Sequence, residues 1–313
     1  MRLTLAFRRS PIERNMLRRM VSKFYRRLPV VRELREIGES LGQIQQMMGN
    51  LRRSMNALQA SRLPDIRLDN HARYRDPQRL LRYQSQICSQ NGEDGIIHEI
   101  FCRVGTTNRT FAEVGVGTGC ENNTAFLLSQ GWNGFWIDGA DGFLRTLENR
   151  ADLLNGCLKW LVSHVSRENI AGLFAQLGVP AEFDLLSLDI DQNTYYTWEG
   201  LEHFRPRVVV IEYNAALPPD IDWKVRHLSD RPWNGTQNFG ASLKALELLG
   251  RRLGYSLVGC EFIGVNAFFV RDDLLADKFA EPFTSENHYE PPRYSMAHRR
   301  GHASTILDRT GPE

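Results

Sequence analysis

The residues best placed to do chemistry sit in Phe111-Ala112-Glu113-Val114-Gly115-Val116-Gly117-Thr118-Gly119. An apolar run delivers a glutamate, and glycines follow at alternate positions. Backbone that must turn sharply and approach a ligand closely is cheap only for glycine. A dinucleotide-binding turn would read G-x-G-x-x-G, but here the third glycine comes one residue early, at Gly119, before Cys120. Three further runs end in acids or amides. They are Phe135-Trp136-Ile137-Asp138, Leu186-Ser187-Leu188-Asp189-Ile190-Asp191 and Val208-Val209-Val210-Ile211-Glu212-Tyr213-Asn214.

Continuous apolar runs of this kind suit strands buried on both faces of a parallel sheet. Ligands of open α/β sheets bind outside the carboxyl ends of the strands. The four runs therefore place Glu113, Asp138, Asp189 with Asp191, and Glu212 with Asn214 on one rim. Two chemistries fit the last four residues. Oxygen-bearing groups in that number suit Mg²⁺, held by Asp189, Glu212 and Asn214, which would acidify and orient a hydroxyl. In the other reading, Asp189 or Asp191 is a plain general base and its neighbours hydrogen-bond to loops.

Residues 85–271 resemble an S-adenosylmethionine (SAM)-dependent methyltransferase domain related to the FkbM-like family. The glycine turn carries the resemblance, with Ser89-Gln90-Asn91-Gly92-Glu93-Asp94-Gly95, Glu121-Asn122-Asn123-Thr124 and Gly131-Trp132-Asn133-Gly134. Leu185 to Asp191, Arg207 to Asn214, Phe239-Gly240-Ala241-Ser242-Leu243 and Gly264-Val265-Asn266-Ala267-Phe268-Phe269-Val270 extend it. After Asp189 the chain departs from the Val-Glu-Gly more frequent in that family.

The resemblance implies a doubly wound, Rossmann-like class I methyltransferase sheet and transfer of a methyl group to a small-molecule or carbohydrate hydroxyl. Gly115, Gly117 and Gly119 would let the backbone meet the methionine part of SAM. Glu113 would accept from its ammonium group or steady the loop, and Asp138 would accept from the ribose hydroxyls. Asn123 is a further cofactor-side candidate, and it or Thr124 is placed to cap the following helix. The Asp189, Glu212 and Asn214 set is similar to the metal site of catechol-type and macrolide-sugar O-methyltransferases. His164 is a possible adenine contact or base. Trp198, Tyr195 and Tyr196 fit a sugar platform or, more simply, the core.

The elements that must position these groups begin with a helix from Asp94 to Arg103 with an apolar face of Ile96, Ile97, Ile100 and Phe101. Strands are expected at 110–114, 134–138, 158–162, 184–189 and 207–213, with helices at 123–130 and 241–252. A closing antiparallel pair is expected at 255–259 and 267–270. Residues 63–84 read as a linker after Leu63-Pro64-Asp65, and 276–313 as a polar tail or lid.

The 313 residues suffice for one large domain with extensions, and 42% apolar content supports a core. A net charge of +2 is near balance. No apolar run approaches the roughly 18 residues of a membrane span, and residues 1–7 are too short for a secretory signal. Five scattered cysteines without C-x-x-C suit reduced thiols and a cytoplasmic location, not a zinc or disulfide framework.

Two features precede the domain. Residues 1–30 form a basic amphipathic helix, with Ile12, Met16, Met20, Phe24 and Leu28 every four residues among seven basic side chains between Arg8 and Arg26. Over 11–28 that stripe suits a peripheral contact with an anionic membrane or packing within the protein. Across 31–62, Leu34, Ile37, Leu41, Ile44, Met48, Leu51, Met55 and Leu58 alternate spacings of three and four. That is the seam of a coiled coil, expected to make a homo-oligomer through 34–58, or else to fold back on the domain. A non-catalytic coiled-coil interaction protein that uses the SAM fold as a scaffold is the rival reading. The asparagine-proline motif of many base methyltransferases is missing after Asp191, where Gln192-Asn193 stand, so nucleic acid is not the expected substrate.

Overall fold

A computed structural model describes residues 72–144, 147, 156–227 and 238–294. The basic helix, the coiled coil and residues 295–313 lie outside the described residues. Seven strands form one sheet: β1 Thr110–Val114, β2 Asn133–Asp138, β3 Leu158–Val162, β4 Glu182–Leu188, β5 Arg205–Glu212, β6 Tyr255–Cys260 and β7 Asn266–Arg271. The order is β3-β2-β1-β4-β5-β7-β6. β1 to β5 pair in parallel, and β7 runs antiparallel to both β5 and β6. The chain winds outward from β1 to β3, then restarts at β4 on the other side. This is a doubly wound α/β sheet whose direction switches between β1 and β4, where such sheets bind ligands.

The apolar runs form central strands because both faces are covered. Val114, Ile137, Leu188, Ile211 and Phe269 face one core. That core is closed by α4 Ile170–Leu177, α5 Thr194–Glu199 and α6 Leu243–Leu253. Phe111, Trp136, Leu185, Val210 and Phe268 face the other, covered by α2 Glu93–Val104 and α3 Ala125–Ser129. Two short helices frame the body, α1 Ala72–Arg75 and α7 Ser285–His288. No helix among the described residues is long and apolar enough to cross a membrane. None of the five cysteines is in a disulfide.

Two expectations are corrected. Residues 72–84 are not a linker: Leu80 and Leu81 are buried, and Arg79 bonds the carbonyl and side chain of Asn287. Residues 276–294 are not a tail. Phe279, Ala280, Ser285, His288 and Glu290 are buried, and Tyr213 donates to the Glu290 carbonyl. The two segments clasp each other through Glu290, which takes Arg73, Arg293 and the Tyr74 hydroxyl. A buried carboxylate is stable only with such partners. The body therefore runs from 72 to 294, wider than the expected 85–275.

Candidate active site

The parallel register places Gly115, Asp189 and Glu212 one residue beyond the last paired positions of β1, β4 and β5, and Glu212 pairs with Asn266 of β7. Asp138 closes β2. Above this rim lies a cavity of about 280 Å³ lined by Gly115, Val116, Gly117, Asp138, Asp189 and Asp191, among others.

Its first half is the glycine loop. Gly115 has φ of 89°, and a Cβ there would lie 1.6 Å from the Asp189 carbonyl oxygen. Only glycine lets the two strand ends meet. Gly117, with φ of 62°, has nothing within 4 Å of an added Cβ, so its missing side chain leaves room on the cavity side. Asp138 fixes this loop: one carboxylate oxygen accepts from the Val116 and Gly117 amides at 2.7 and 2.8 Å, and the other from Ala140 at 2.8 Å. The second oxygen keeps a lone pair for a further donor.

Glu113 steadies the loop rather than waiting for a ligand. It is fully buried and accepts from the Asn122 side chain, the Asn123 amide and the hydroxyls of Thr124 and Ser187. Burial raises its pKa, and these hydrogen bonds oppose the rise. Asn123 lines the cavity, but its side chain donates to Ser187 and it precedes α3. Thr124 is held by Glu113 and by the Trp136 indole at 2.9 Å; neither residue caps the helix by its side chain. Gly119 is a packing position, since a Cβ there would meet the Trp136 ring at 2.9 Å. It is absent from the cavity lining.

The second half is acidic. Asp189 and Glu212 share a side-chain hydrogen bond. Burial, then the nearby Asp191 charge, raises the Asp189 pKa to about 7, and burial, then the charges of Asp189 and Asp191, raises that of Glu212. Two carboxyls in such contact hold a proton between them. Asp191 sits beside them with φ of 55°, in the left-handed region, and burial raises its pKa. A left-handed aspartate is a strained position of the kind that clusters at functional sites.

The expected Mg²⁺ set is not assembled. The Asn214 amide donates to the Phe239 carbonyl and accepts from Ala216, which makes it a loop tie. Neither Asn214 nor Glu212 lines the cavity, and the Glu212 carboxyl is engaged with Asp189. Among the described residues no group of three or more His, Cys, Asp or Glu side chains is arranged to hold a metal ion. Trp198 packs in the core on Tyr255 and Phe269. Tyr195 is buried, and Tyr196 donates to the Val225 carbonyl. His164 stands next to Gly139 at the β2 end.

Sequence reasoning missed the far wall. Gln90, Glu93 and Asn266 line the cavity. Glu93 accepts from Asn91 and, at 2.8 Å, from the Asn266 side chain. The loop before α2 is wrapped round Asp94, one of whose carboxylate oxygens accepts from the amides of Ile87, Cys88 and Ser89 and the Ser89 hydroxyl. The available signal was a pair of acids directly after a glycine, Gly92-Glu93-Asp94, at a helix start.

No family model matches the chain, and no curated protein does. Solved structures similar to it include the N-terminal domain of EvdMO1 with SAH bound. That match has 14% identity and a TM-score of 0.37, covering 58% of this chain and 80% of that one. The O-methyltransferase NcsB1 from neocarzinostatin biosynthesis, in complex with SAM and 2-hydroxy-5-methyl naphthoic acid, matches at 14% identity and TM-score 0.34. It covers 52% of this chain and 49% of that one. The CcbJ methyltransferase from Streptomyces caelestis matches at 14% identity and TM-score 0.36, covering 62% and 97%. Likenesses of this size add nothing to what the residues of this chain show.

Proposed function

We propose that the chain is a SAM-dependent methyltransferase of the FkbM-like kind, acting on a small-molecule or carbohydrate hydroxyl. One observation carries the reading. At the switch point of the sheet, Asp138 pins the Val116 and Gly117 amides beside an open Gly117, so a backbone cradle and an acid meet at one place. SAM, when bound, supplies a methyl group on a sulfonium. The loop from Gly115 to Thr118 would bind its methionine part, and the free lone pair of Asp138 would take a ribose hydroxyl. Asp189 and Asp191 flank the space beyond β4, where one of them would accept the proton that the acceptor hydroxyl loses. The cavity walls hold the two reactants in line. No step is assigned to Mg²⁺.

The assembly and localisation readings remain part of the proposal. The heptad seam at 34–58 supports a homo-oligomer, the basic stripe at 11–28 supports a peripheral membrane contact, and cysteines outside any disulfide suit the cytoplasm.

Calorimetric titration of the full-length chain with SAM tests the central claim. Binding is expected for wild type and its loss for Gly117→Val, whose branched side chain would fill the space that Gly117 leaves. Equal binding by both proteins would sink the proposed cofactor site.

A further inference from the structure

Among the described residues the cavity is lined by six acids, Glu93, Glu113, Glu121, Asp138, Asp189 and Asp191, and by no lysine, arginine or histidine. Elsewhere on the body acids pair with bases freely, as in Arg103 with Glu99 and Lys244 with Glu247. Among the described residues none of the six cavity acids takes part in an ion pair. Glu93, Glu113 and Asp138 take amides and hydroxyls instead, and Asp189 takes the Glu212 carboxyl.

A second observation is independent of the charge. Asn122 and Asn266 also line the cavity and are 7% and 3% exposed. In both, the amide nitrogen donates, to Glu113 and Glu93, while the carbonyl oxygen has no donor. The Glu212 oxygen Oε2, at the position paired with Asn266, is likewise without a donor. Buried acceptors are seldom left so. Every unmet need here is for a donor, and the charge that the described residues place around it is of one sign.

SAM carries a sulfonium, an ammonium and a carboxylate, one net positive charge, and its place is the β1–β2 half beside Asp138. The β4–β7 half, with Glu93, Asp189, Asp191 and Asn266, then remains for the acceptor. An anionic acceptor would face uncompensated carboxylates, and a neutral polyol would leave their charge unmet. Complementarity of this kind sets specificity more than raw affinity.

We infer that the acceptor carries a protonated amine beside its reacting hydroxyl, as an amino sugar or amino alcohol does, and that Asp191, Glu93 and Asn266 hold that ammonium. The inference rests on the proposed methyltransferase reading.

The test uses the full-length chain saturated with SAH and calorimetric titration with glucosamine, 2-aminoethanol and tyramine. Each is set against its N-acetyl derivative, and glucosamine also against glucuronate. At least one amine should bind, and acetylation should weaken it tenfold or more. Asp191→Asn should narrow the gap between the amine and its acetylated form, because asparagine tolerates the left-handed backbone but carries no charge. No amine binding at millimolar concentration, or acetylated or acidic analogues binding as well as amines, would overturn the inference. If SAH itself fails to bind, the methyltransferase reading fails and this inference falls with it.

Discussion

The two halves of the cavity are built differently. On the β1–β2 side Glu113 and Asp138 are already answered. Glu113 receives donors from Asn122, Asn123, Thr124 and Ser187, and Asp138 receives backbone amides from Val116, Gly117 and Ala140. On the β4–β7 side, Asp189 leans on Glu212, Asp191 sits in a strained conformation, and Asn266 keeps an unanswered carbonyl. The first half is built before any ligand arrives, as preorganised binding requires, and among the described residues only the Asn122 carbonyl there lacks a donor. The second is completed by what it binds.

This difference can be broken first where the halves touch. Gly115→Ala would drive a Cβ to 1.6 Å from the Asp189 carbonyl oxygen. Backbone must move, and the domain should lose more than about 4 kcal/mol of stability in urea unfolding. Next comes Glu113→Leu, which removes the acceptor for four buried donors. Each unsatisfied group costs about 1–3 kcal/mol, so a loss of at least about 3 kcal/mol is expected. A variant of near wild-type stability would show that the loop does not depend on Glu113.

The smallest effect should come from the acidic half. Burial, with the Asp191 charge beside them, raises the pKa values of Asp189 and Glu212 above those of the unfolded chain. The folded protein therefore keeps a proton that the unfolded chain gives up above about pH 4. Stability must then fall as pH rises from about 4 toward 7, by at most about 1.4 kcal/mol per pH unit for each proton kept. Glu212→Gln ends the sharing of a proton between two acids and should flatten that slope, read from urea midpoints at pH 5 and 7. An unchanged slope would place the pH dependence elsewhere.

The legible parts of the fold were those written in continuous sequence. Val208-Val209-Val210-Ile211 reads as a doubly buried strand because both cores claim its side chains in alternation. Carboxyl-end acids follow from that assignment, so Asp138, Asp189 and Asp191 were visible. Asn266 and Glu93 were not. They lie 173 positions apart and meet only because β7 pairs with β5 while the loop before α2 folds over the rim. Gly119 and Gly117 look alike in sequence, yet one abuts Trp136 and the other faces open space. The supposed linker and tail were misjudged for a related reason. Each is polar alone, and its few apolar residues, Leu80 and Phe279, are buried only in the folded body.

The position of β7 has a consequence for synthesis. β6 has β7 as its sole neighbour in the sheet and is made first. As the chain leaves the ribosome, β6 must wait beside a sheet that it cannot join until the residues through Arg271 have emerged. Asn266 arrives with the same strand, so the acidic half of the cavity comes into being last, and no partly synthesised chain carries the whole site.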